Sequence, residues 1–82
     1  MSKAWRSGPS GGGRVGLRVE SFLGEYRISN GAGYVGSPVG ERDARLSRLE
    51  QIVLAGDVPD RDSTGAFVWS TRAAAEAALN LA

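Results

Sequence analysis

Ten of the twelve glycines in this 82-residue chain stand among its first 40 residues. Glycine leaves the backbone free and buries nothing, so this uneven distribution separates a front half of linker, turns and short strands from a back half suited to helices. The stretch Ser7-Gly-Pro-Ser-Gly-Gly-Gly13 reads as a flexible arm. The expected organisation is therefore a basic, glycine- and serine-rich arm over residues 1–13 and one compact domain over residues 14–82.

Periodicity assigns the elements. Val15, Leu17 and Val19 alternate with Gly16, Arg18 and Glu20, which predicts a strand over residues 14–22 with one wet face. Tyr26 and Ile28 share one face of a second strand over residues 25–29. Asn30-Gly31 follows as a hairpin signal, because both residues tolerate positive φ. Tyr34-Val35 then begins a return strand that ends at Ser37-Pro38. Leu46, Leu49, Ile52 and Val53 line one face of a helix over residues 40–55. Glu41 and Asp43 fall in its first turn, Arg45 is spaced to pair with Glu41, and Gly56 suits a left-handed stop before Pro59. Residues 57–65 read as a polar loop. Phe67 and Trp69 mark one face of another strand. Ser70 or Thr71 can cap an alanine-rich helix over residues 72–81, with Arg72 and Glu76 one turn apart.

The expected fold class is α+β, a small antiparallel sheet in β-β-β-α-β-α order with two helices packed on one face. Its core draws on Val15, Leu17, Val19, Tyr26, Ile28, Leu46, Leu49, Val53, Phe67, Trp69 and Leu79. A core this small, in a chain with no staple, predicts modest stability, and support from a partner or a homodimer fits that expectation.

Several chemistries are excluded by what the chain lacks. With no cysteine there is no disulfide, thiolate nucleophile or sulfur-ligated metal, and with no histidine the usual general base and commonest metal ligand are missing. The expectation is a protein that is not an enzyme and has no catalytic, cofactor-binding or metal-binding residues. The longest apolar run, residues 52–55, is too short for a membrane span, and no signal sequence is visible. The reading is cytoplasmic, with no membrane partner.

Three stretches imitate functional motifs. Gly31-Ala-Gly33-Tyr-Val-Gly36 spells G-x-G-x-x-G, but a dinucleotide site needs the third glycine inside a helix, and Pro38 follows two residues later. A glycine-rich hairpin is the better reading. Gly11-Gly-Gly13-Arg14 lacks the Gly-Lys-Ser/Thr of a phosphate loop. Asp57, Asp60 and Asp62 miss calcium-loop spacing, and Val68 stands where the twelfth-position glutamate belongs.

The remaining candidates concern binding. The net charge of +1 conceals a front, residues 1–28, at +3 and a middle, residues 29–62, at −2. Lys3, Trp5, Arg6, Arg14 and Arg18 combine guanidinium groups with an indole, which suits phosphates, carboxylates or an apolar pocket. Trp5 equally fits as an aromatic folded back onto the core. Arg42, Arg45 and Arg48 form an oblique row on the helix, either a salt-bridged flank or a phosphate contact. The functional expectation is a small accessory or inhibitory protein that docks on a larger protein or nucleoprotein complex. It is of phage or mobile-element type, such as an inhibitor of a host defence complex. The alternative is direct DNA or RNA binding through the basic front, though no helix-turn-helix, zinc-finger, RRM or KH signature is present.

Overall fold

The computed structural model describes residues 16–82. The arm expected over residues 1–13, Arg14 and the core candidate Val15 lie outside the described residues. The chain is α+β, in the order β1 (Arg18–Phe22), β2 (Glu25–Ser29), α1 (Ala44–Leu54), β3 (Asp60–Arg61), β4 (Phe67–Val68) and α2 (Arg72–Leu79).

β1 and β2 form an antiparallel hairpin from Arg18 opposite Ser29 to Phe22 opposite Glu25. Their two-residue turn is Leu23-Gly24, with φ of 53° and 80°. Two left-handed residues are what a tight hairpin turn of this hand requires. Asn30-Gly31 also reverses the chain, but by a wider loop. Gly31 has φ of 96°, whereas Asn30 is not left-handed and closes the loop with its side chain. Its Oδ1 accepts the N–H groups of Ala32 and Gly33 at 2.8 and 2.7 Å.

The return strand expected at Tyr34-Val35 shrinks to a single bridge between Ser29 and Tyr34. Val35 donates its N–H to the Ile28 carbonyl at 2.9 Å, and its own carbonyl accepts the N–H of Phe67 at 3.0 Å. The chain then leaves β2 at Gly36, with φ of 95°. A Cβ there would stand 2.9 Å from the Gly65 carbonyl oxygen, so only glycine passes this crossing without displacing backbone. Tyr26 and Trp69 exchange both N–H···O bonds at 2.9 Å. The strands thus form two two-stranded sheets, β1-β2 and β3-β4, spliced at Val35 and Trp69, where one sheet was expected.

β3 lies inside the stretch read as a polar loop, because Asp60-Arg61 carries no apolar alternation. Its pairing is held by the turn that follows. Asp62 Oδ1 accepts the Thr64 N–H at 2.8 Å, the Thr64 hydroxyl at 2.6 Å and the Ala66 N–H at 3.1 Å. Oδ2 accepts Arg27 Nε at 2.9 Å, which ties the turn to β2. Partial burial pushes the Asp62 carboxyl up, but the Thr64 and Arg27 hydrogen bonds, with the turn N–H groups, outweigh it and hold it at about 2.

α1 starts at Ala44, later than expected, because Asp43 serves as its N-cap and not as a first-turn residue. Asp43 Oδ1 accepts the N–H groups of Arg45 and Leu46 at 2.9 and 3.1 Å. Arg45 therefore pairs with Asp43, at 2.6 Å, and not with Glu41. At the other end Gly56 does not take the expected left-handed conformation. The chain leaves the helix through Ala55, whose N–H reaches back to Gln51 and Ile52. α2 is capped by Thr71, whose Oγ1 accepts the Ala74 N–H at 3.1 Å. Arg72 and Glu76 approach to 3.9 Å, as their spacing predicts.

Leu46, Leu49 and Val53 bring α1 to the core, where they join Leu17, Ile28, Phe67, Trp69 and Leu79. Val19 and Tyr26 pack at its margin, and Val35, Ala75 and Ala78 are core members that the periodicity did not single out. α2 lies against β1 and β2. Leu49 is fully buried, so Leu49→Ala should cost about 2–5 kcal/mol in denaturant titrations, and a parental midpoint would contradict this packing. Because the Asp62 carboxyl is depressed in the folded state, its contribution is complete above the usual value near 3.8 and is lost as pH falls towards about 2. Thermal melts between pH 5 and 2 (a range set by that shift) should show the acid loss in the parent, with a shallower slope in Asp62→Asn.

Candidate functional site

The last turn of α1, the loop that leaves it and one side of α2 enclose an apolar groove of about 460 Å³. Val53 from the last turn of α1, then Asp57, Val58 and Pro59, form one wall. Ala74, Ala77, Ala78 and Leu81 form the other, and Trp69 lines the groove between them. A hollow of about 280 Å³ shares Val58, Pro59, Trp69 and Ala74 and continues the groove to Asp60, Val68 and Ser70.

Local structure fixes this arrangement. Trp69 is held by its bridge to Tyr26 and by an edge-to-face contact with Phe67, ring centroids 6.2 Å apart. The alanine face of α2 carries no bulk that would fill the gap. Val58 and Leu81, 51% and 61% exposed, add apolar surface at the border of the cleft. The polar side chains of the lining are Asp57, Asp60 and Ser70. Neither aspartate makes an ion pair among the described residues. No basic residue stands in the last turn of either helix. Such a lining can receive an apolar side chain, and among the described residues it holds no nucleophile hydrogen-bonded to a base.

The basic candidates lie elsewhere. Lys3, Trp5, Arg6 and Arg14 fall outside the described residues. Arg18 pairs with Glu20 at 3.0 Å, and its guanidinium lies over Gly31. Arg42 turns to the Ser37 carbonyl and to Glu50, at 3.2 Å from the latter, and so braces the loop that precedes α1. Arg45, beside its partner Asp43, stands against Gly16. Arg48 is exposed and makes no ion pair among the described residues. The row thus separates into two arginines engaged internally and one facing solvent. Arg45 and Arg48 lie in the first half of α1, whereas Val53 meets the groove from its last turn.

The glycines of the G-x-G-x-x-G stretch serve close backbone contact. Gly33 bridges Gly40, and a Cβ at Gly33 would collide with the Glu41 carbonyl. The sequence pattern does not mark the groove residues Val58, Ala74, Ala77 and Leu81, and it marks Pro59 only as a helix stop. The available signal was Val58, an apolar residue between Asp57 and Pro59 in a stretch otherwise polar.

A second exposed apolar feature is the β1–β2 turn, where Phe22 and Leu23 are 67% and 85% exposed. A leucine at φ of 53° is strained, since its Cβ crowds the backbone there. Leu23→Asn should therefore raise stability by roughly 1 kcal/mol in thermal melts, and a lowered midpoint would show that the turn is not left-handed. No helix among the described residues is long and apolar enough to cross a membrane. No family model, no curated protein and no solved structure matches this chain.

Proposed function

We propose that this protein acts by binding, without catalysis, as a small accessory or inhibitory factor that docks on a larger protein or nucleoprotein complex. A role of phage or mobile-element type, such as inhibition of a host defence complex, suits a short chain without cysteine or histidine. The observation that carries the binding reading is the groove, an apolar cleft lined by Trp69 and bordered by exposed Val58 and Leu81. Apolar anchors seated in such clefts dominate the energetics of protein interfaces.

The alternative, direct DNA or RNA binding, draws on Arg18 and Arg45, both at the Gly16–Arg18 end of β1, and on exposed Arg48. Arg18 and Arg45 are each neutralised by a neighbouring carboxylate, which weakens their pull on phosphate. Affinity capture with the full chain separates the two readings. The docking account predicts a protein that stays bound after nuclease treatment and is lost from Ala77→Trp, a substitution that fills the groove from an exposed helix position. Retention abolished by nuclease and unchanged in Ala77→Trp would overturn docking in favour of nucleic acid.

A further inference from the structure

We infer that the groove takes a protein segment with a large apolar side chain flanked by lysine or arginine. The inference rests on the docking reading and adds the charge of what docks. Asp57 lines the groove itself and Asp60 its extension, and both carboxylates are exposed without an ion pair among the described residues. The carboxylates share this lining with Val53 and Ala78, from the last turns of α1 and α2. Neither last turn holds a cation to offset these carboxylates, and no lysine or arginine among the described residues lines the cleft. A phosphate or an acidic peptide would meet repulsion there, whereas an ammonium or guanidinium beside the anchor would meet attraction.

The same charges weigh against a second copy of the described domain as the occupant. Its most exposed apolar feature, Phe22-Leu23, is flanked by Glu20 and Glu25, each already paired with an arginine, Arg18 and Arg27, so it brings no unpaired cation to Asp57 and Asp60. Exposed ion pairs add little affinity singly. The anchor therefore supplies the affinity, and Asp57 and Asp60 select the partner and speed its approach.

The test uses the full chain and two fluorescein-labelled synthetic peptides, each with a tryptophan–leucine pair, flanked by lysines in one and by glutamates in the other. Anisotropy should give the lysine peptide at least about tenfold tighter binding. The double variant Asp57→Lys, Asp60→Lys should reverse that preference, with circular dichroism confirming an unchanged fold. Equal binding of the two peptides, or a preference indifferent to the charge reversal, would overturn the inference. Binding that appears only in a Trp5→Ala variant would also overturn it, by assigning the groove to the chain's own Lys3-Ala-Trp5-Arg6. A groove-dependent protein capture together with charge-blind peptides would leave docking intact and sink only the charge selection.

Discussion

Two hydrogen-bonded residues, Val35 and Trp69, join the halves of this protein. A two-stranded hairpin is marginal on its own, and the described residues form two of them. Val35 bonds β2 with its N–H and β4 with its carbonyl, and Trp69 exchanges a pair of bonds with Tyr26. These contacts place Ile28, Val35, Phe67 and Trp69 in one apolar cluster that α1 and α2 can cover. Gly36 permits the splice, since any side chain there would strike the Gly65 and Phe67 backbone. The splice also positions the groove, because Trp69 has one role in the core and another in the lining of the cleft.

A small core leaves much of the architecture to polar groups that close loops. Asn30 accepts two N–H groups of its own loop and donates to Asp43 at 3.0 Å, so the end of β2 is tied to the N-terminus of α1. Asp43 caps the helix and pairs with Arg45, and these partners draw its carboxyl well below the usual range. Ser37 is buried in the loop between them, donating to the Thr64 carbonyl and accepting from Val39 N–H. Exposed ion pairs of this kind contribute little each, but a satisfied cap and satisfied buried groups avoid a larger penalty. Several acids and arginines that look available for binding in the sequence are occupied in this way.

Elements with a strong apolar period were legible. Leu46, Leu49 and Val53 announce α1, and Val19, Tyr26 and Ile28 announce the first hairpin. Thr71 and the alanines announce α2. The failures lie where tertiary contacts override local pattern. Tyr34-Val35 looks like a strand, but its second residue is taken by Phe67, a partner 32 positions away. Leu23-Gly24 carries a weaker turn signal than Asn30-Gly31, yet it makes the tight turn, because the strand register leaves two residues between Phe22 and Glu25. β3 has no pattern to read, since it exists through the Asp62 turn and the pairing with β4. The groove was illegible for a related reason. Its walls come from separate stretches, the loop after α1 and the exposed side of α2, and each taken singly reads as a polar turn or an ordinary helix face.

The functional account places the apolar docking site at the last turn of α1 and the exposed arginine at its second turn, so the helix separates two surfaces of different character. A partner that needs an apolar cleft and a partner that needs positive charge would cover different ends of the same helix. The most direct measurement is the hydrogen-exchange footprint of a captured partner on the full chain. Added protection at residues 57–60 and 74–81 is the result this account predicts. Protection confined to Arg18 and residues 45–48, with the groove segments exchanging as in the free protein, would contradict it.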